Sequence, residues 1–129
     1  MIDNPVEVDI DIYKDRDFKK TIVVNDSEGT AIDMTDWTFN AQIRPTLGST
    51  TLLATFSIDT TDKDTGTIVL SLADTSTIDL EVVNPITLGS VATSINTAWD
   101  LVVVDSVGDR YSLIVGIATI HETVSRTVI

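Results

Sequence analysis

The sequence predicts an all-β protein, a single antiparallel β-sandwich of about seven short strands over residues 1–129. Three observations carry this. Apolar and polar residues alternate with a period of two in segment after segment, the pattern of strands with one buried and one solvated face. Clusters of Asp, Asn, Ser and Gly separate those segments at fairly even spacing. Thr, Val and Ile dominate the segments themselves, and branching at Cβ suits the pleated, half-buried backbone of a strand. A chain of 129 residues is the size of one domain, large enough to hold a core without staples.

In the first segment Val6, Val8, Ile10 and Ile12 alternate with Glu7, Asp9 and Asp11, giving one apolar and one acidic face. Residues 14–17 form a polar turn, 18–24 a second strand, and 25–29 a turn cluster. Trp37, Phe39, Ala41 and Ile43 alternate with Thr38, Asn40 and Gln42 in the third strand. Pro45 ends it, having no amide to give to a ladder. Leu52, Ala54, Phe56 and Ile58 mark a fourth strand, and a loop of turn formers follows over 59–66. Residues 67–72 read as a fifth strand and 72–81 as a short helical turn. Two alternating runs, 101–105 and 111–120, flank Asp-Ser-Val-Gly-Asp and read as a closing hairpin. The expected core is Trp37, Phe39, Phe56, Trp99, Leu101 and Leu113.

Charge and composition narrow the function classes. Eight basic residues stand against 20 acidic ones, a net charge of −12. Such a surface repels nucleic acid and anionic lipid, so neither is an expected partner. There is no Cys, which removes disulfides and thiolate metal sites. The first residues lack a basic and apolar leader, and no apolar run approaches the ~20 residues of a membrane span, so synthesis in the cytoplasm is expected.

No catalytic set emerges, and the expectation is a protein without enzymatic activity, cofactor, metal or small-molecule substrate. His121 is the sole histidine, and its neighbour Glu122 would point to the opposite face of a strand. Asp59, Asp62 and Asp64 invite a calcium reading, helped by Asp105 or Asp109 if those loops share an end. The spacing fails the EF-hand template, and a solvated loop is the simpler reading. Trp37 and Trp99 could make a sugar-stacking platform, but each stands in phase with the apolar residues of its own strand. A calcium- or carbohydrate-binding sandwich therefore stands as the alternative function.

One stretch departs from the charge pattern. Residues 82–98 carry no charge at all, in a chain at −12. The expectation is a loop or hairpin inserted at about 82–97, whose Ile86, Leu88, Val91 and Ile95 are covered either by the core or by a neighbouring subunit. Depletion of charge marks interface cores, and exposed apolar patches mark contact surfaces.

The closing hairpin also resembles a known pattern. Its Trp99-Asp100-Leu101 entry, Asp105-x-x-Gly108 turn, Leu113-x-x-Gly116 return and Ser125-Arg126 exit are similar to an immunoglobulin-like virion domain of tailed bacteriophages. A related domain opens the upper baseplate proteins of some siphophages. The resemblance covers the last third well and the whole chain weakly, and the uncharged stretch interrupts it. It implies an immunoglobulin-like sandwich and a structural role in the virion: the tail tip or baseplate, the neck, or the capsid surface. Its expected partners are other virion proteins and copies of itself in a ring. In the baseplate proteins more chain follows the domain, whereas here it ends at Ile129, which favours an adaptor or decoration role.

Overall fold

The computed structural model describes residues 5–14, 16–77, 86–88 and 92–121. It is an all-β sandwich of two sheets, and the strands fall where apolar residues alternate. In chain order they are β1 (Val6–Glu7), β2 (Ile10–Tyr13), β3 (Phe18–Val23), β4 (Thr38–Arg44), β5 (Ala54–Thr55), β6 (Ser57–Asp59), β7 (Thr67–Leu72), β8 (Ile86–Leu88), β9 (Ala92–Val104) and β10 (Arg110–His121). A 3-10 turn, Lys63–Thr65, precedes β7, and a single helical turn, α1 (Asp74–Thr77), follows it. The larger sheet runs β1-β10-β9-β4-β5, with β2 also on β10 and β8 also on β9. The smaller sheet runs β3-β7-β6.

The pairing is antiparallel except at one edge, where β1 and β2 both run parallel to β10. The expectation of a wholly antiparallel sandwich is corrected there: a strand from the start of the chain closes an edge that the last strand leaves open.

The core lies between the sheets. Ile12, Met34, Ile43, Ile68, Leu70, Leu101, Val103 and Ile120 are fully buried, and Trp99, Phe56 and Leu113 nearly so. Of the expected core, Trp37 and Phe39 are only partly buried and pack against its margin. Both Leu113 and Ile114 face inward because a bulge between Ser112 and Ile114 shifts the register against β9.

Two predicted strands are each broken in two. The first breaks at Val8 and Asp9, between β1 and β2. The fourth breaks at Phe56, where the chain leaves the larger sheet (β5 on β4) for the smaller one (β6 on β7). The Phe56 side chain stays in the core at this crossing, edge-on to the Trp99 ring at 5.8 Å. Conversely, the eighth and ninth strands reach into the stretch expected to be an insertion. Residues 92–97 are the first half of β9, and β8 pairs with its start, Ile86 opposite Ser94 and Leu88 opposite Ala92. Residues 82–85 and 89–91, Val91 among them, lie outside the described residues.

Candidate interaction surface

The expected interface residues fall around the lower half of β9. Ile86 and Leu88 belong to β8, while Ile95 sits opposite Ile120 and packs, partly buried, against the domain's own core.

The other sequence candidates resolve into structural roles. The Trp99 ring is almost wholly buried and its indole N–H donates to the Val8 carbonyl at 2.8 Å. This bond satisfies the carbonyl freed by the break between β1 and β2. Asp9 serves the same break, its Oδ1 accepting from the Ile117 amide at 3.0 Å. Trp37 is half-buried, edge-on to Tyr111 at 6.2 Å. Neither indole forms part of an open sugar platform.

The acidic loops do share one end of the sandwich. Thr38, which opens β4, pairs with Val104, which closes β9, and the Lys63 ammonium donates to the Trp37 carbonyl. The carboxylates there are largely occupied by their own turns. Asp26 Oδ1 accepts from the amides of Glu28 and Thr30, and Asp105 Oδ1 from those of Val107 and Asp109. Asp33 accepts from the amide and hydroxyl of Thr35, and Asp59 from the amide of Thr61; these bonds hold both carboxyls below the usual range. Among the described residues no group of three Asp, Glu, His or Cys is placed to hold a metal ion. Nor is any helix among them long and apolar enough to cross a membrane.

His121 has a partner that the sequence did not reveal. Its Nε2 lies 3.0 Å from Asp11 Oδ1 on the neighbouring strand, and its ring stacks on Tyr13 at 4.5 Å. Strand pairing brings these three together, since Tyr13 stands opposite His121. Adjacency in sequence offers only Glu122, which strand alternation sets aside to the opposite face.

The surface that sequence reading missed is the outer face of the larger sheet. Along β9, Ala98, Asp100, Val102 and Val104 alternate with the buried Trp99, Leu101 and Val103. Beside them lie Gln42 and Arg44 of β4, and Ser112, Val115 and Ile117 of β10. Ile117 is 42% exposed. The Thr46–Thr50 loop rises at one end and encloses a cleft of about 510 Å³ with Gln42, Arg44, Ala98 and Asp100. Leu47 is 70% exposed on its rim. Arg44 donates to Gln42 Oε1 at 2.8 Å and to the Ser49 carbonyl at 3.3 Å. The Asp100 carboxylate, by contrast, makes no hydrogen bond or close ion pair among the described residues. Burial raises its carboxyl above the usual range, opposed by the charges of Arg44 and Arg110.

Comparison with known proteins adds little. No protein-family model and no curated protein matches the chain. Among solved structures it is similar to a 2,6-sialyltransferase from Photobacterium sp. JT-ISH-224, at 11% identity and a TM-score of 0.32. The likeness covers 95% of this chain and 19% of that one, and it carries no argument about activity.

Proposed function

We propose that this chain is a structural protein of a tailed bacteriophage virion, an adaptor or decoration subunit of the tail tip or baseplate, the neck or the capsid. It acts by docking and not by catalysis. The observation that supports this reading most is the closing hairpin. The segment with the virion-domain pattern forms the long central pair of the larger sheet, β9 on β10, and carries an outer face of small and apolar side chains. A rigid sandwich with such a face suits repeated contacts between subunits. Its partners in this reading are other virion proteins and further copies of itself. The calcium- or carbohydrate-binding alternative has less support, because Asp26, Asp59 and Asp105 already accept backbone amides, no three acids among the described residues are grouped to hold a metal ion, and the Trp99 indole is spent on Val8.

The uncharged stretch with Ile86, Leu88, Val91 and Ile95 is part of this proposal as a subunit contact. Leu88→Asp should leave the isolated domain folded, by melting temperature, and reduce its incorporation into particles. Normal incorporation of the variant would remove this stretch from the contact. A calcium- or glycan-dependent rise in melting temperature of the parent chain would favour the alternative instead.

A further inference from the structure

The smaller sheet leaves one long edge open. β3 pairs only with β7, from Phe18 opposite Leu72 to Val23 opposite Thr67. The ladder continues in phase for one more residue, the Val24 amide donating to the Gly66 carbonyl at 2.8 Å. Backbone groups alternate sides along a strand, so those of Phe18, Lys20 and Ile22 turn to β7. The N–H and C=O groups of Lys19, Thr21 and Val23 turn the other way. Among the described residues nothing bonds these three, and they form a row of open donors and acceptors. The sheet's other edge, β6, is only three residues long and ends on Asp59.

The open row faces a groove of about 380 Å³ between this edge and β1. Ile22 and Val24 line the groove from one sheet, and Val6, Val8, Leu113 and Ile114 from the other. Val6 and Val23 are each 58% exposed on its rim. Lys20 also lines it, since alternation places Lys20 on the same face as Ile22. Its ammonium makes no hydrogen bond or ion pair among the described residues, in a chain with 20 acids. The nearest acids along the lining strands are turned away or engaged. Glu7 falls on the other side of β1 from Val6 and Val8 by alternation, and Asp26 accepts the amides of its own turn. Residues 14–20 hold four of the chain's eight bases, Lys14, Arg16, Lys19 and Lys20, against two acids. One of those acids, Asp17, accepts the Asp74 amide at 2.7 Å.

We propose that the open edge of β3 takes a short extended segment of another polypeptide as a fourth strand of the smaller sheet, with the pattern apolar-x-apolar-x-acid. This inference stands on the edge and its groove and does not require the virion reading. In antiparallel pairing the two apolar residues lie opposite Val24 and Ile22, and the acid lies opposite Lys20. The residues between them then bond the backbone of Val23 and Thr21. A second copy of this chain is the less suitable occupant. Pairing β3 with another β3 about Thr21 sets four lysines along one short ladder, the means by which sheet edges are kept apart. The same lysines favour an acidic strand.

NMR titration of the full chain with the capped peptide Thr-Val-Thr-Val-Thr-Glu-Thr tests this, read by amide exchange. In the free chain the amides of Lys19, Thr21 and Val23 should exchange at least about tenfold faster than those of Lys20 and Ile22. Peptide at about 1 mM should slow the first three by about threefold or more. N-methylation of the third Thr of the peptide, whose N–H faces Thr21, should abolish the effect. N-methylation of the Val before it, whose N–H points away from β3, should not. Lys20→Glu should retain its melting transition and weaken binding about fivefold or more, and a peptide with Lys in place of Glu should restore binding to that variant. No slowing at about 5 mM peptide, equal effects of the two N-methylations, or indifference to the charge swap would each overturn the proposal. Protection of the Thr21 amide in the free chain that fades on dilution would overturn it in favour of a second copy. The virion reading is tested separately, by the presence of the chain in particles.

Discussion

Trp99 and Gly116 act as one unit. They stand opposite each other across β9 and β10, and a Cβ built on Gly116 would lie 1.8 Å from the Val8 carbonyl oxygen and 2.9 Å from the Trp99 indole nitrogen. The glycine is the space through which the indole reaches Val8. Gly116→Ala should therefore cost about 3 kcal/mol or more, at the upper end of overpacking, because backbone and not a flexible side chain must move. Trp99→Phe keeps most of the ring but leaves the Val8 carbonyl unpaired, at a cost of about 1–3 kcal/mol. Urea midpoints measure both, and a near-neutral Gly116→Ala would refute the close packing. Asp100 sets a third expectation. Its raised carboxyl means that the folded chain holds this proton more tightly than the unfolded chain. The group therefore opposes folding once pH passes its folded value and has no such effect below the ordinary carboxylate range, about pH 4. Asp100→Asn should raise the melting temperature near about pH 7 by less than about 1 kcal/mol equivalent, since the group is partly solvated, and the gain should vanish in acid. A gain that persists unchanged in acid would contradict burial as its cause. The burial of Trp99 was legible from its phase with Leu101 and Val103. Its bond to Val8 was not, because that depends on strands 91 residues apart in sequence being brought together.

At the scale of elements, one turn design is used twice. Asp26-Ser-Glu-Gly29 and Asp105-Ser-Val-Gly108 share an Asp that accepts the amides two and four residues on, and a glycine at positive φ, 84° and 94°. Both turns also pair the Asp amide with the carbonyl of the residue four further on. The acidity of these loops is thus largely turn chemistry, with side-chain oxygens standing in for missing ladder partners. Asp26→Ala and Asp105→Ala should each cost about 1 kcal/mol, whereas Asp64→Ala, whose side chain makes no such bond, should be close to neutral by thermal melting. Equal costs at all three positions would mean that the turn bonds contribute little. The turns were readable because Asp, Ser and Gly have distinct backbone roles. The strand breaks at Val8 and Phe56 were not, because alternation continues through both. What interrupts the ladders is a crossing between layers and a buried indole, and neither leaves a local mark on the sequence.

For the whole molecule, the all-β sandwich followed from period-two alternation and turn spacing, while the parallel edge did not, because alternation is blind to strand direction. The uncharged stretch was visible as composition, yet residues 92–97 proved to extend the longest strand of the larger sheet. The outer face around β9 was hidden for a simple reason. It is assembled from β4, β9 and β10, whose residues are up to 79 positions apart, and no single segment of it looks unusual. The central claim is that this sandwich is a part of a phage particle. Mass spectrometry of gradient-purified tailed particles, from cells that carry this gene, tests it most directly. The account predicts the chain in the particle fraction at a fixed ratio to the tail or capsid proteins, retained through high-salt washing. Its absence from intact, infectious particles would contradict the claim.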